Sequence, residues 1–171
     1  MLWLILFIVK MVNDLQKSKW RERILRYAPL FLWIGVILFA STTQGAMSNT
    51  SRFIRPLLEF LFPNTPEETL ILYHGYTRKL AHLSEYAILA FWASRAFWSS
   101  SVNFLQRYWF IISLATVFLV ASIDEYNQSL NSLRTGSLYD VLLDVSGGLL
   151  MIIVLKVWRV LRVQKVENNS R

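Results

Sequence analysis

Four long apolar runs, separated by short polar stretches, dominate this chain. A helix that crosses a bilayer needs roughly 20 mostly apolar residues. Residues 28–46 carry no charge at all and are the cleanest such run. Residues 80–98 are the weakest, because His82, Glu85 and Arg95 interrupt them. Residues 108–123 are short but strongly apolar and are expected to run on through Asp124. Residues 139–158 are long and apolar yet contain Asp140, Asp144 and Lys156. The pattern predicts an all-α polytopic membrane protein, a bundle of about four transmembrane helices.

The stretch between the first two runs, 47–79, is more than a loop. Phe53, Ile54, Leu57, Leu58, Phe60, Leu61 and Phe62 make it apolar enough to lie in the bilayer interface. Pro63-Asn64 should then turn the chain. Thr65-Pro66-Glu67-Glu68 has the pattern of an N-cap, a proline at the first helical position and a capping-box glutamate. A short helix ending near Gly75 is expected there, with Thr77 capping the second span. The first twelve residues, apolar up to Lys10, are too short to span. No basic region precedes them and no small-residue cleavage site follows, so a signal peptide is not expected. Two readings remain for them: an interfacial segment, or a start at Met11.

Composition fits the pattern. The chain is 54% hydrophobic, and its mean hydropathy is +0.38. A soluble protein of this size lacks the interior volume for that much apolar surface. The absence of cysteine rules out disulfides, zinc thiolates and cysteine nucleophiles. A net charge of +7 would suit nucleic acid, but its distribution points to membrane topology, and no nucleic acid partner is expected. With the N-terminus in the cytoplasm, thirteen of the eighteen Lys and Arg fall inside, and only Arg52, Arg55, Arg78, Lys79 and Arg134 fall outside. That is the bias of cytoplasmic loops. Eight of the eleven acids lie outside, and Trp98, Tyr108, Trp109 and Trp158 form a belt at the inner interface. The expected plan is a basic cytoplasmic segment (1–27), a transmembrane domain (28–158) and a basic cytoplasmic tail (159–171), placing both termini of a multi-pass cell-membrane protein inside.

This topology gathers scattered polar residues at one level, on the outer side. Ser41, Thr42 and Gln44 end the first span. Lys79, His82, Glu85 and Tyr86 begin the second. Asp124, Glu125 and Gln128 end the third, and Arg134, Ser137, Asp140 and Asp144 lead into the fourth. Lys79, His82 and Tyr86 share a helix stripe at i, i+3 and i+7. Asp140 and Asp144 share a face with Gly147 and Gly148, which let a neighbouring helix approach closely. Charges at membrane depth cost about 2.5–3.5 kcal/mol on insertion scales, so they face the protein interior and pair. Candidate pairs are Arg134 with Asp140 and Lys79 with Glu125. Asp124 and Glu125, about 100° apart on a helix, should not share one role, and one of them should face inward.

Lys79-x-x-His82-x-x-x-Tyr86, then Asp124-Glu125-x-x-Gln128-x5-Arg134-x-x-Ser137-x-x-Asp140-x-x-x-Asp144-x-x-Gly147, resembles the VanZ-like family. Ser41-Thr42-Thr43-Gln44 resembles that family's Ser-rich close of the first span. The resemblance runs from about residue 28 to residue 155. This chain departs from it with Asp144 where Asn is usual, Ser132-Leu133 where Pro-Gly is usual, and Met151 at a glycine position. The resemblance implies a small bacterial membrane protein in an antibiotic-resistance context, since the name-giving member is associated with lower susceptibility to the glycopeptide teicoplanin. It implies no reaction.

Arg134 and Lys79 are the expected phosphate contacts, because a guanidinium grips phosphate with two prongs and lysine adds a point charge. The alternative is that they merely neutralise neighbouring acids. The expected ligand set is Lys79, His82, Tyr86, Asp124, Glu125, Gln128, Arg134, Ser137, Asp140 and Asp144. The expected ligand is an anionic envelope lipid or cell-wall precursor headgroup, with membrane lipid as solvent and a homo-oligomer compatible with the small size. A divalent cation on Asp124, Asp140 and His82 is chemically feasible, but no compact ligand motif announces one, so no metal or cofactor is expected. His82 is the candidate acid/base for the enzyme alternative, a hydrolase or transferase on a lipid phosphate. No G-x-S-x-G or H-E-x-x-H motif supports it, and a binding protein is the first expectation. A structural or partner-binding role is the third, with the polar set only locking helices together. A proton-relaying transporter through Asp144 and Glu85 is the fourth.

Overall fold

In the computed structural model the described residues, 2–42, 47–130 and 137–169, are helical apart from short connections. Six helices follow in order: α1 (Leu2–Ala40), α2 (Met47–Leu61), α3 (Glu67–Trp98), α4 (Asn103–Arg107), α5 (Trp109–Ser129) and α6 (Leu138–Asn169). Three segments are long and apolar enough to cross a membrane: Lys19–Ala40, Trp109–Ser129 and Leu138–Arg162. The fourth long helix, α3, has 32 residues, about 48 Å at ~1.5 Å per residue. Its hydropathy is lowered by the charges that make it interesting.

The apolar N-terminal stretch forms the start of α1, which runs unbroken for 39 residues. The expectations for the first turns of α3 are corrected. The short helix expected to end near Gly75 does not end there, because α3 continues to Trp98. Gly75 carries no positive φ, and an isolated helical glycine costs only about 1 kcal/mol against alanine. Thr77 therefore caps nothing, and its hydroxyl donates to the Tyr73 carbonyl one turn back at 2.8 Å. The N-cap of α3 is Pro66, without a side-chain hydrogen bond, and not Thr65. The turn at Pro63-Asn64 is present, with Asn64 at φ 69°, a left-handed conformation that asparagine tolerates.

α3 is the hub. It packs against α1, α2, α4, α5 and α6, whereas α1 touches only α3 and α5 among the described elements. The buried side of α3 explains this, because Ala90, Ala93, Ser94 and Ala96 are small enough for close neighbours. α5 shows the membrane pattern clearly. Trp109, Ser113, Val117, Val120, Ala121, Asp124, Glu125 and Gln128 form its buried stripe, while Phe110, Ile111, Phe118, Leu119 and Ile123 face outward. Ser113, Asp124, Glu125 and Gln128 are thus turned inside while these large apolar side chains cover the outside.

The bundle has two unlike ends. At one, Trp98 contacts Trp109 and Trp158 at ring centroid distances of 5.9 and 6.3 Å. Arg159 lies 5.0 Å from the Trp98 ring, and Tyr27 donates to Ser100 at 2.8 Å. Three of the four aromatic residues expected at one interface thus come from three helices and meet around Trp98. At the other end, α2 is amphipathic, burying Leu58 while exposing Leu57, Phe60 and Leu61. It is tied to α3 through Arg55, which bonds Glu59 at 2.8 Å and Glu67 at 2.7 Å.

Candidate functional site

The end opposite the tryptophans holds the polar residues. Their approach is set by one backbone contact. A Cβ on Gly147 would fall on the Leu83 carbonyl, 3.0 Å from its carbon, and one on Gly148 would strike Val117 Cγ1 at 2.7 Å. Two adjacent glycines therefore bring α6 against α3 and α5 at once. Asp144 lies one turn before Gly147 and His82 immediately before Leu83. The close crossing places the fully buried Asp144 carboxylate 3.4 Å from His82 Nδ1.

α5 supplies the third part. The fully buried Tyr86 hydroxyl donates to Asp124 Oδ2 at 2.9 Å, and Ser41, at the end of α1, donates to the Asp124 backbone carbonyl at 3.1 Å. One atom each from His82, Asp124 and Asp144 lies within 4.8 Å of the others. Asp144 Oδ1 and Oδ2, Asp124 Oδ1 and His82 Nδ1 are buried without a hydrogen bond.

Glu125 follows a different path. Asp124 and Glu125 are both buried, where one was expected to face inward. They serve different neighbours, as their angular separation requires. The Glu125 side chain accepts from the Ser137 backbone N–H, at the start of α6, where negative charge complements the helix dipole.

A pocket of about 170 Å³ opens beside this cluster. Its lining includes Ser41, Arg78, His82, Glu85, Asp124 and Gln128, together with apolar Ile37 and Ile54. It is too small for a drug-sized ligand. At about 30 Å³ per water in the liquid, it has room for a phosphate-sized group or an ion with a few waters.

Of the residues expected at the site, His82, Tyr86, Asp124 and Asp144 meet directly, and Gln128 lines the pocket. Ser137 serves Glu125. Asp140 is half-buried and is not one of the three clustered ligands, so the feasible set of Asp124, Asp140 and His82 becomes His82, Asp124 and Asp144. Lys79 is exposed, and among the described residues it makes no salt bridge with Glu125. Arg134, and with it the Arg134–Asp140 pair, lies outside the described residues, as do Thr43 and Gln44. The residue that sequence reasoning missed is Arg78. The signal was available: Arg78, His82 and Glu85 stand at i, i+4 and i+7, a stripe next to the one chosen. His74, on the same helix, is also buried.

A family model described as VanZ/LLP1 matches residues 26–159. No curated protein and no solved structure matches the chain. The matched region takes in the whole polar end together with the helices that build it, and the chain belongs to the VanZ-like family.

Proposed function

We propose that this VanZ-like protein binds the phosphate-bearing headgroup of an anionic envelope lipid or lipid-linked cell-wall precursor, in the pocket between α1, α3 and α5. The observation that carries the reading is Arg78. It is half-buried on the pocket wall, and it makes no hydrogen bond or ion pair with any described residue. A guanidinium in that position suits a phosphate oxygen pair. The apolar side of the pocket, with Ile37 and Ile54, suits the start of a lipid chain. Arg78 takes the role first given to Lys79, while Arg134 stays a candidate second contact.

The Lys and Arg distribution supports an outward-facing pocket and cytoplasmic termini in a cell membrane. A headgroup site on that face would act where glycopeptides act, so altered teicoplanin susceptibility is the expected cellular readout. In this reading the protein acts by binding, and no chemical step is assigned to the pocket.

Native mass spectrometry of protein purified from its host membrane tests this. Wild type should retain a phosphate-bearing lipid. Arg78→Ala should lower its occupancy about tenfold or more, since a hydrogen bond to a charged group contributes about 1.5–3 kcal/mol. Equal occupancy in a well-folded Arg78→Ala protein would sink the reading. A second reading is favoured by the Tyr86–Asp124 and Ser41–Asp124 bonds, which join α1, α3 and α5: the polar set serves stability alone. It predicts that Tyr86→Phe and Ser41→Ala lower folding stability, while Arg78→Ala changes neither folding nor retained lipid.

A further inference from the structure

We propose that His82, Asp124 and Asp144 hold a divalent cation whose open coordination position faces the pocket and takes a phosphate oxygen. Two independent observations carry the cation. The first is geometric: the three ligand atoms, one from each of three helices, lie within 4.8 Å of one another. The His82 Nδ1 to Asp144 Oδ1 separation of 3.4 Å is long for a hydrogen bond. It matches the edge of a tetrahedron with metal–ligand bonds of ~2.0–2.1 Å, which is about 3.3 Å.

The second observation is that three of the four carboxylate oxygens lack a hydrogen bond, with only the His82 imidazole, 3.4 Å from Asp144, to pair with them. Asp144 is fully buried and Asp124 is 3% exposed. Neither Asp144 oxygen, nor Asp124 Oδ1, nor His82 Nδ1 has a hydrogen bond. Buried polar groups are otherwise almost always paired, and an ionised carboxylate out of water costs several kcal/mol unless it is compensated. The remaining Asp124 oxygen is already held by Tyr86, so Oδ1 is fixed in place by the bond its partner makes. Metal ligands are oriented by their surroundings in this way.

The donor set selects the ion. One imidazole nitrogen and two carboxylate oxygens suit zinc or manganese better than magnesium or calcium, which take mainly oxygen. Two carboxylates also balance a double positive charge. Three protein ligands leave a fourth position open. His82 and Asp124 both line the pocket, as does Arg78, so that position is the pocket floor. The ion resolves an electrostatic conflict, since a phosphate approaching a bare pair of carboxylates would be repelled. The bridge to phosphate rests on the headgroup reading above; the ion's binding does not.

The test uses the full chain in host-lipid nanodiscs, stripped with chelator and titrated with Mn2+ by electron paramagnetic resonance, with Zn2+ as competitor. Wild type should bind one ion per chain, and Zn2+ should displace it. Asp144→Asn and His82→Gln should each weaken binding by at least about 100-fold, while Asp140→Asn binds as wild type does. Monodispersity and the thermal midpoint identify any variant that fails to fold, and Asp124→Asn then replaces it. A folded wild type that binds no ion, or equal binding by Asp144→Asn and His82→Gln, overturns the cation. Retained lipid is measured on the same samples. Ion binding with no phosphate-bearing lipid leaves the cation standing and removes the headgroup reading. Lipid retained by a folded protein that binds no ion does the reverse.

Discussion

Gly147→Ala is expected to break the bundle, lowering stability by about 3 kcal/mol or more, at the upper end of the range for overpacked interiors. The added methyl meets backbone and not a flexible side chain, because it falls on the Leu83 carbonyl. α6 must then move away from α3, and His82 and Asp144 part with it. The gain in helix propensity, about 1 kcal/mol, is too small to offset this. Gly35→Ala is the control. It is also a helical glycine, but a Cβ there meets nothing within 4 Å, so the same propensity gain should appear as unchanged or slightly higher stability. Thermal midpoints of the two variants in one detergent measure the difference. Equal midpoints would mean that the α3–α6 crossing is looser than the structure has it.

Tyr86→Ala should lower stability by about 3 kcal/mol, the low end for removing a buried aromatic ring. The low end applies because lipid tails are as apolar as a protein interior, so separating helices in a bilayer loses packing but little hydrophobic transfer. Tyr86 is fully buried within the central cluster, and nothing flexible stands ready to fill its volume. Tyr86→Phe keeps the ring and removes only the hydroxyl that Asp124 Oδ2 accepts. Its cost should be about 1–3 kcal/mol, the penalty for a buried acceptor left unsatisfied. Reversible unfolding of both variants in mixed micelles separates the ring from the hydroxyl. If Tyr86→Phe costs as much as Tyr86→Ala, the hydroxyl and not the ring organises this end.

The helical bundle and the level of its polar residues were legible in the sequence. Hydrophobic run length predicts the spans, and alternating direction brings His82, Asp124 and Asp144 to one end. What stayed hidden was rotation about each helix axis. Lys79 and Arg78 are neighbours in sequence and about 100° apart on α3, and only packing decides which of them turns toward the pocket. Depth was hidden too, because Asp140 and Asp144 lie a full turn apart on one face and rotation does not separate them. Gly147 against Leu83 sets the depth at which α6 meets α3, and that depth selects Asp144. The continuity of α3 through Gly75 was equally hidden. A glycine followed by a threonine reads as a stop and a cap, and tertiary contact along the whole of α3 overrides both. Charged residues between Lys10 and Arg26 concealed the unbroken run of α1, because a helix emerging from a bilayer no longer has to be apolar.

The position of α3 at the centre of the bundle bears on how the protein is made. Synthesis delivers α3 before α5 and α6, the two helices that cover its buried face. At that moment His82 and Glu85 have no Asp124, Asp144 or Gly147 beside them, and α3 falls short of the apolarity of the three other long helices. Its stable entry into lipid is therefore conditional on helices not yet synthesised. α6, which leaves the ribosome after α3 and α5, is also the helix whose glycines lock α3 in place. Membrane integration of α3 therefore waits on α6, and truncation before Gly147 should leave α3 uncommitted at the membrane surface.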